Sequence, residues 1–113
     1  MATSADTRAF DCSSNGSELR IVVRKEFDFG ILSQDWAHTI VLGWPGPYKR
    51  VVMDMGQVGL VSSTFFAGLI KLQQFYGPKG SGPLVLEKPD PRVVRNLQIL
   101  RLETLFTIQP RPA

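Results

Sequence analysis

Short apolar runs alternate with longer segments of helical periodicity along most of this chain, and this alternation limits the folds open to it. The run KRVVMDM is rich in valine and bounded by turn residues, which is typical of a strand buried on both faces. The segment from Ser63 to Tyr76 is apolar on most of a helical circumference and is stopped by Gly77 and Pro78. GPLVLEK has the pattern of another strand. A strand, a helix and a strand in this order predict a parallel pair joined by a right-handed crossover.

The segments on either side extend the same alternation. Residues 7–24 predict an antiparallel hairpin, because Asn15 and Gly16 supply the positive backbone angles of a tight turn. LETLFTI is expected to turn extended and to add the last strand. The sequence therefore predicts an α/β fold, with a mixed, mainly parallel sheet of four to five strands packed against three helices.

Two further helices are predicted, one before and one after the central helix. The first is expected over residues 33–43, with Ser33 as its N-cap residue. Its apolar stripe consists of Trp36, Ile40, Val41 and Trp44. The last is expected over residues 91–101, because Asp90 followed by Pro91 is a strong helix start. Its predicted core face consists of Val93, Val94, Leu97 and Leu100.

Length and composition point to one globular domain. The chain has 113 residues, of which 43% are hydrophobic and 20% charged, so a disordered or fibrous protein is excluded. We expect a domain over residues 6–109, with a flexible N-terminus over 1–5 and a flexible tail over 110–113. The longest apolar stretch, Phe65 to Ile70, is far shorter than the roughly 18 residues that a membrane span requires. No membrane insertion is expected.

The few reactive side chains exclude several kinds of site. One cysteine and one histidine provide neither a disulfide nor a metal-binding cluster, and nothing at the start of the sequence resembles a secretory signal. The cytoplasm is therefore the expected compartment. The net charge of +3 comes from basic residues that are scattered rather than clustered, so no direct nucleic-acid binding is expected.

Three consecutive hydroxyl side chains, Ser62, Ser63 and Thr64, precede or open the central helix. One of them is expected to cap the helix by accepting a backbone hydrogen bond, which contributes about 1 kcal/mol. A phosphate group at the same place would face the positive end of the helix dipole. The cluster is therefore compatible with a cap alone or with a modified residue.

No motif of an enzyme is present. The serines lack the G-x-S-x-G turn, and GPKGSG has neither the spacing nor the following helix of a phosphate-binding loop. Asp28 and Asp54 lie near the ends of neighbouring predicted strands, where they are expected to orient backbone groups or bind a partner. Catalysis by this chain and a bound cofactor or metal are not expected.

Three segments follow one another along the chain: RIVVRKEFDFG, RVVMDMGQVGLVSSTFFAGLIKL and GPLVLEKPDPRVVRNLQILRLETLFTI. In their order and spacing they resemble the STAS domain of sulphate transporters and bacterial anti-sigma factor antagonists. The first is similar to an early strand of that family, the second to its core signature, and the third to its closing strand, helix and strand. Together they extend from Arg20 to Ile108.

The resemblance implies a role for the hydroxyl cluster. A register fixed on Asp54, Val58 and Phe65 places the phosphorylatable serine of the family on Ser63, whereas a register shifted by one places it on Ser62. The implied partner-binding residues are Asp28, Asp54, Ser62, Ser63 and Thr64. The implied partners are an anti-sigma factor of the serine kinase type, which modifies the serine and releases the antagonist, and a serine phosphatase.

The sequence departs from the family at two positions. Ser62 replaces an acidic residue beside the acceptor, and Lys25 replaces a glycine. The first hypothesis is a stand-alone anti-sigma factor antagonist that regulates transcription by freeing a sigma factor. The alternative is an accessory STAS subunit of a membrane transport system, such as lipid ABC transport, without phosphorylation. A nucleotide hydrolase is retained as a third hypothesis, because family members have been linked to nucleotide binding.

Overall fold

A computed structural model of the chain describes residues 10–24, 35–59 and 61–110. The predicted flexible ends lie outside these residues, except for Pro110. The described part folds into one five-stranded sheet and three α-helices, which confirms the predicted α/β class. The elements are β1 (Phe10–Asn15), β2 (Glu18–Val23), α1 (Trp36–Gly43), β3 (Arg50–Asp54), α2 (Ser63–Tyr76), β4 (Leu84–Glu87), α3 (Pro91–Ile99) and β5 (Phe106–Gln109).

The strands follow one another in the sheet in the order in which they occur in the chain. The β1 and β2 strands form an antiparallel hairpin, and the pairs from β2 to β5 are parallel. Every crossover advances the sheet by one strand in the same direction, so right-handed connections place all three helices on one face. The alternation in β2 agrees with this arrangement: Leu19, Ile21 and Val23 are buried, whereas Glu18 and Arg20 are only half-buried.

The core lies between this face and the helices, with α2 at its centre. The rings of Phe10, Trp36 and Phe65 stack, with centroids 4.6 Å apart for Phe10 and Trp36 and 5.2 Å apart for Trp36 and Phe65. Gly68 allows α2 to approach α1, because a side chain there would overlap the indole ring of Trp36. The central helix is therefore held mainly by apolar packing.

The turn of the hairpin differs from the predicted one. Asn15 pairs with Glu18, so the two-residue loop consists of Gly16 and Ser17 rather than Asn15 and Gly16. Only Gly16 takes a positive φ, of 63°, which is the sign pattern of a type II′ turn. The sequence predicted the hairpin correctly and placed its turn one residue too early.

The boundaries of two helices also differ from the predicted ones. The α1 helix begins at Trp36, so Asp35 occupies the cap position that was assigned to Ser33, a residue outside the described ranges. The α3 helix ends at Ile99 rather than at residue 101, because Arg101 adopts a φ of 58° and the Leu102 N–H donates to the Leu97 carbonyl.

This early ending corrects one core assignment. Val93 and Leu97 are buried as predicted and Val94 is half-buried, but Leu100 is 53% exposed. Leu100 is the C-cap residue of α3, where the helical face no longer continues. The bounds of α2, in contrast, are those predicted from the sequence.

Candidate functional site

Two loops meet where β3 and β4 end. These strands are parallel, and Asp54 pairs with Glu87 at their last position. The chain then leads from β3 into the start of α2 and from β4 into the start of α3. We call residues 54–59, 61–64 and 87–92 the carboxyl edge, since functional groups of such sheets gather at this side.

The start of α2 is capped by Ser62. This residue has extended backbone angles, and its Oγ accepts a hydrogen bond of 3.4 Å from the backbone N–H of Phe65. The Ser62 carbonyl also accepts from the N–H groups of Phe65 and Phe66, at 3.1 and 3.3 Å. Ser62 therefore performs the capping role that was left open among the three hydroxyl residues.

The other two hydroxyl residues have different surroundings. Ser63 is the first residue of the helix and is exposed, and its hydroxyl makes no hydrogen bond to any described residue. Thr64 is half-buried, and its carbonyl accepts a hydrogen bond of 3.2 Å from the indole N–H of Trp36. Among the described residues, Ser62 is thus the member of the cluster whose hydroxyl caps the helix, and Ser63 is the member that is exposed.

Asp54 shapes the loop that leads to α2. Its Oδ1 accepts a hydrogen bond of 3.0 Å from the backbone N–H of Gly56, and its Oδ2 lies 3.7 Å from the Arg20 guanidinium. The next residue, Met55, is fully buried and donates its N–H to the Glu87 carbonyl at 2.9 Å. Asp54 orients a backbone group, which is one of the two roles predicted for it.

An ion pair joins the middle of β2 to the end of β4, on the face of the sheet opposite the helices. Arg20 donates two hydrogen bonds to Glu87, of 2.8 and 3.2 Å. The hydrogen bond from Arg20 lowers the pKa of Glu87 below its ordinary value, and the same bond raises the pKa of Arg20. A bidentate pair of this kind fixes the relative position of β2 and β4.

A second carboxylate, that of Asp90, caps the start of α3. Asp90 is buried, and its Oδ1 accepts from the Arg92 backbone N–H at 2.8 Å. The Arg92 guanidinium also donates to both carboxylate oxygens, at 3.1 and 3.0 Å, and this contact raises the pKa of Arg92. The cap by Asp90 was predicted, but the contribution of Arg92 was not. Local sequence holds no signal for it beyond the presence of a basic residue two positions later.

The two loops of the carboxyl edge approach each other closely. A Cβ atom at Gly59 would lie 3.3 Å from the Arg92 guanidinium, and one at Gly56 would lie 3.7 Å from the Lys88 side chain. Lys88 has a φ of 53°, a conformation that a non-glycine residue rarely adopts. The loop before α2 is therefore close to two basic side chains, Lys88 from the loop before α3 and Arg92 from the first turn of α3.

The structure brings together most of the predicted partner-binding residues and leaves one untested. Asp54, Ser62, Ser63 and Thr64 all belong to the carboxyl edge, although Asp54 is engaged by Gly56 and Arg20. Asp28 lies outside the described residues. The predicted roles of these residues in phosphorylation and partner binding stay predictions.

Other reactive groups have ordinary surroundings. Cys12 is half-buried in β1, where burial and the neighbouring Asp11 raise the pKa of its thiol to about 11. His38 is exposed on α1. The described residues contain no group of three or more His, Cys, Asp or Glu side chains that could hold a metal ion. None of their helices has the length and apolar character needed to cross a membrane.

Comparison with known proteins gives no family. No family model matches the sequence, and no curated protein matches it. Membership of the STAS family therefore stays a prediction, based on the three segments quoted above. The sheet and helices are compatible in class with that prediction.

Proposed function

We propose that this chain is a regulatory protein-binding module, a STAS-type anti-sigma factor antagonist that binds an anti-sigma factor of the serine kinase type through its carboxyl edge. The observation that carries the proposal is the division of roles between Ser62 and Ser63. Ser62 caps α2, whereas the exposed Ser63 hydroxyl makes no hydrogen bond to the described residues. A kinase could therefore modify Ser63 without removing the cap.

The start of α2 also suits a negative charge. The first turn contains no acidic residue, so a phosphate on Ser63 meets no like charge there. The positive end of the helix dipole favours an anion at this position by about 0.3 to 1 kcal/mol. Replacement of the family's acidic residue by Ser62 removes a contact for a kinase and removes repulsion of the phosphate together.

Phosphorylation would act on binding rather than on folding. The unmodified chain would present a neutral hydroxyl to the partner at the carboxyl edge, which also contains Asp54, Lys88 and Arg92. A phosphate adds about −1.5 to −2 charges, which must lose water on entering an interface formed for a neutral group. The complex would then dissociate, and the anti-sigma factor would be free to bind its sigma factor in the cytoplasm.

The proposal is tested by mapping the modified residue. The full chain would be incubated with a panel of purified anti-sigma factors of the serine kinase type and Mg²⁺-ATP, and the products analysed by mass spectrometry. We expect one phosphate on Ser63, lost in Ser63→Ala and retained in Ser62→Ala. A phosphate on Ser62 instead would show that the register shifted by one is correct.

The same panel of anti-sigma factors distinguishes the antagonist proposal from the alternative, an accessory subunit of a transport system. If no member of the panel binds or modifies the chain, the antagonist proposal is wrong, and binding to the cytoplasmic ATPase of a lipid transport system is the next assay. Binding to such an ATPase, equal for the parent and Ser63→Asp, would support an accessory subunit without phosphorylation. No residue contact in the described part of the chain favours this alternative.

A further inference from the structure

An open groove of about 390 Å³ lies between α3 and the end of β5. Its walls are mainly apolar, and three of the lining residues are prolines. Pro110 directly follows β5, so the groove adjoins the end of that strand. The lining residues are Pro89, Pro91, Val94, Arg95, Gln98 and Pro110.

The β5 strand forms one border of the sheet and has no strand partner on its outer side in the described part of the chain. The Gln109 carbonyl accepts the Lys88 N–H, and Gln109 pairs with Glu87, so Thr107 and Gln109 direct their backbone groups towards β4. The N–H and carbonyl of Ile108 and the carbonyl of Phe106 then face outwards, because these directions alternate along a strand. The Phe106 N–H is bonded to the Glu103 carbonyl.

This border lacks one feature that often prevents strand addition, a charged side chain on the edge strand. The β5 strand carries no charged side chain, and both Thr107 and Gln109 are exposed. The opposite border differs, because Asp11 on β1 is charged and lies 3.7 Å from Arg24. An extended peptide can therefore pair with β5 and reach the groove beside it.

Charge restricts the peptide that fits. Arg95 is the charged residue of the groove, it is exposed, and no ion pair among the described residues includes it. Arg101 is also exposed, just beyond the end of α3. A second copy of the chain would bring its own arginines to the same interface, where like charges repel.

We propose that the border of β5 and the adjoining groove bind an extended, acidic segment of a partner protein. The segment adds as a sixth strand through the backbone of Ile108, places an apolar side chain among the prolines and Val94, and pairs a carboxylate with Arg95. This surface uses other residues than the start of α2, so the inference does not depend on the function proposed above.

The probe is a library of capped heptapeptides in which aspartate alternates with each of the apolar residues, beside a matched library with lysine in place of aspartate. Backbone amide exchange of the full chain, followed by NMR, is the readout. We expect acidic members to bind at least tenfold more tightly than lysine members. The Ile108 amide should gain protection on binding, whereas those of Thr107 and Gln109 are protected throughout.

Three variants identify the contacts. Arg95→Glu should weaken the acidic peptides at least tenfold and strengthen the lysine peptides. Ile108→Pro should abolish binding because it removes the outward N–H, while Ile108→Ala, which loses similar packing, should retain it. If Ile108→Pro does not fold, Arg95→Glu and the protection of the Ile108 amide decide the question.

Several results would overturn the proposal. They are equal binding of both libraries, no binding at millimolar peptide, or binding that leaves the Ile108 amide unprotected. Protection of this amide in the absence of peptide, together with a dimer in sedimentation, would show that a second copy occupies the border. Binding to anionic phosphatidylserine vesicles without binding of any peptide would identify a membrane surface instead.

Discussion

The two helices that begin at the carboxyl edge are held there in opposite ways. The start of α3 has a charged, buried cap. Asp90 accepts a backbone hydrogen bond of 2.8 Å, and the Arg92 guanidinium donates hydrogen bonds to both of its carboxylate oxygens. The start of α2 has a neutral cap, in which Ser62 accepts a longer bond of 3.4 Å from Phe65. Both begin beside parallel strand ends, so the difference comes from their side chains.

The start of α3 is needed for stability, whereas the first residue of α2 can be modified without loss of the fold. The α2 helix contains many buried apolar residues, whereas the buried residues of α3 are Val93 and Leu97. Because packing holds α2, its first residue is free to vary without loss of the fold. The short α3 helix depends more on its cap, which leaves Asp90 little freedom.

The largest effect is expected from loss of the packing that holds α2. Phe65 is fully buried and stacks on Trp36, so Phe65→Ala should lower the free energy of unfolding by about 3–5 kcal/mol. Leu42→Ala is the control, because Leu42 is 69% exposed on α1 and its loss should change stability little. Urea unfolding measures both. A loss below about half a kcal/mol for Phe65→Ala would mean that packing does not hold α2.

The caps themselves provide the next comparison. Asp90→Ala should lower the free energy of unfolding by about 2 kcal/mol, the upper end for loss of a cap, because the replaced group is buried and charged. Ser62→Ala should cost about 0.5–1 kcal/mol, because its hydrogen bond is long. Thermal unfolding of both variants checks the order, and a larger loss for Ser62→Ala would contradict the comparison.

The ion pair between Arg20 and Glu87 should make the free energy of unfolding depend on pH in the acid range. Glu87 has a lowered pKa in the folded chain because Arg20 donates hydrogen bonds to it, so its ionised form stabilises the fold above its ordinary pKa of 4.5. This contribution is lost as the pH falls through the lowered folded value. The half-exposed pair is worth about 0.2–1 kcal/mol.

A matched variant isolates this contribution. Glu87→Gln should be less stable than the parent at about pH 6, and the difference should shrink towards pH 3. Urea unfolding at each pH gives the two curves. A stability difference that grows as the pH falls would show that the ionised pair does not stabilise the fold.

Local patterns in the sequence were sufficient for much of the fold. The bounds of α2 were predicted because Gly77 and Pro78 stop a continuous apolar helix, and α3 was correctly started because Asp90 precedes Pro91. The end of α3 was missed. Residue 101 adopts a left-handed conformation, which glycine usually indicates in a sequence and arginine does not. Helix starts have distinct side-chain signals, and this helix end had none.

The carboxyl edge was predictable only in part, because its contacts are not local. Arg20 and Glu87 are separated by 67 positions, and only the strand order places them together. Which of the three hydroxyl residues caps α2 also depends on where the helix begins. Sequence patterns located the cluster, but the register of the helix was needed to leave Ser63 exposed.

The most direct test of the account is the affinity of Ser63→Asp for the anti-sigma factor proposed to modify the parent chain, measured by isothermal titration. We expect binding at least tenfold weaker than the parent's, a loss of about 1.4 kcal/mol or more, with an unchanged or slightly higher melting temperature. Ser62→Asp, which introduces the acidic residue of the STAS pattern that the sequence resembles, should bind like the parent. Binding of Ser63→Asp as tight as the parent's, with Ser62→Asp inactive, would contradict the role assigned to Ser63.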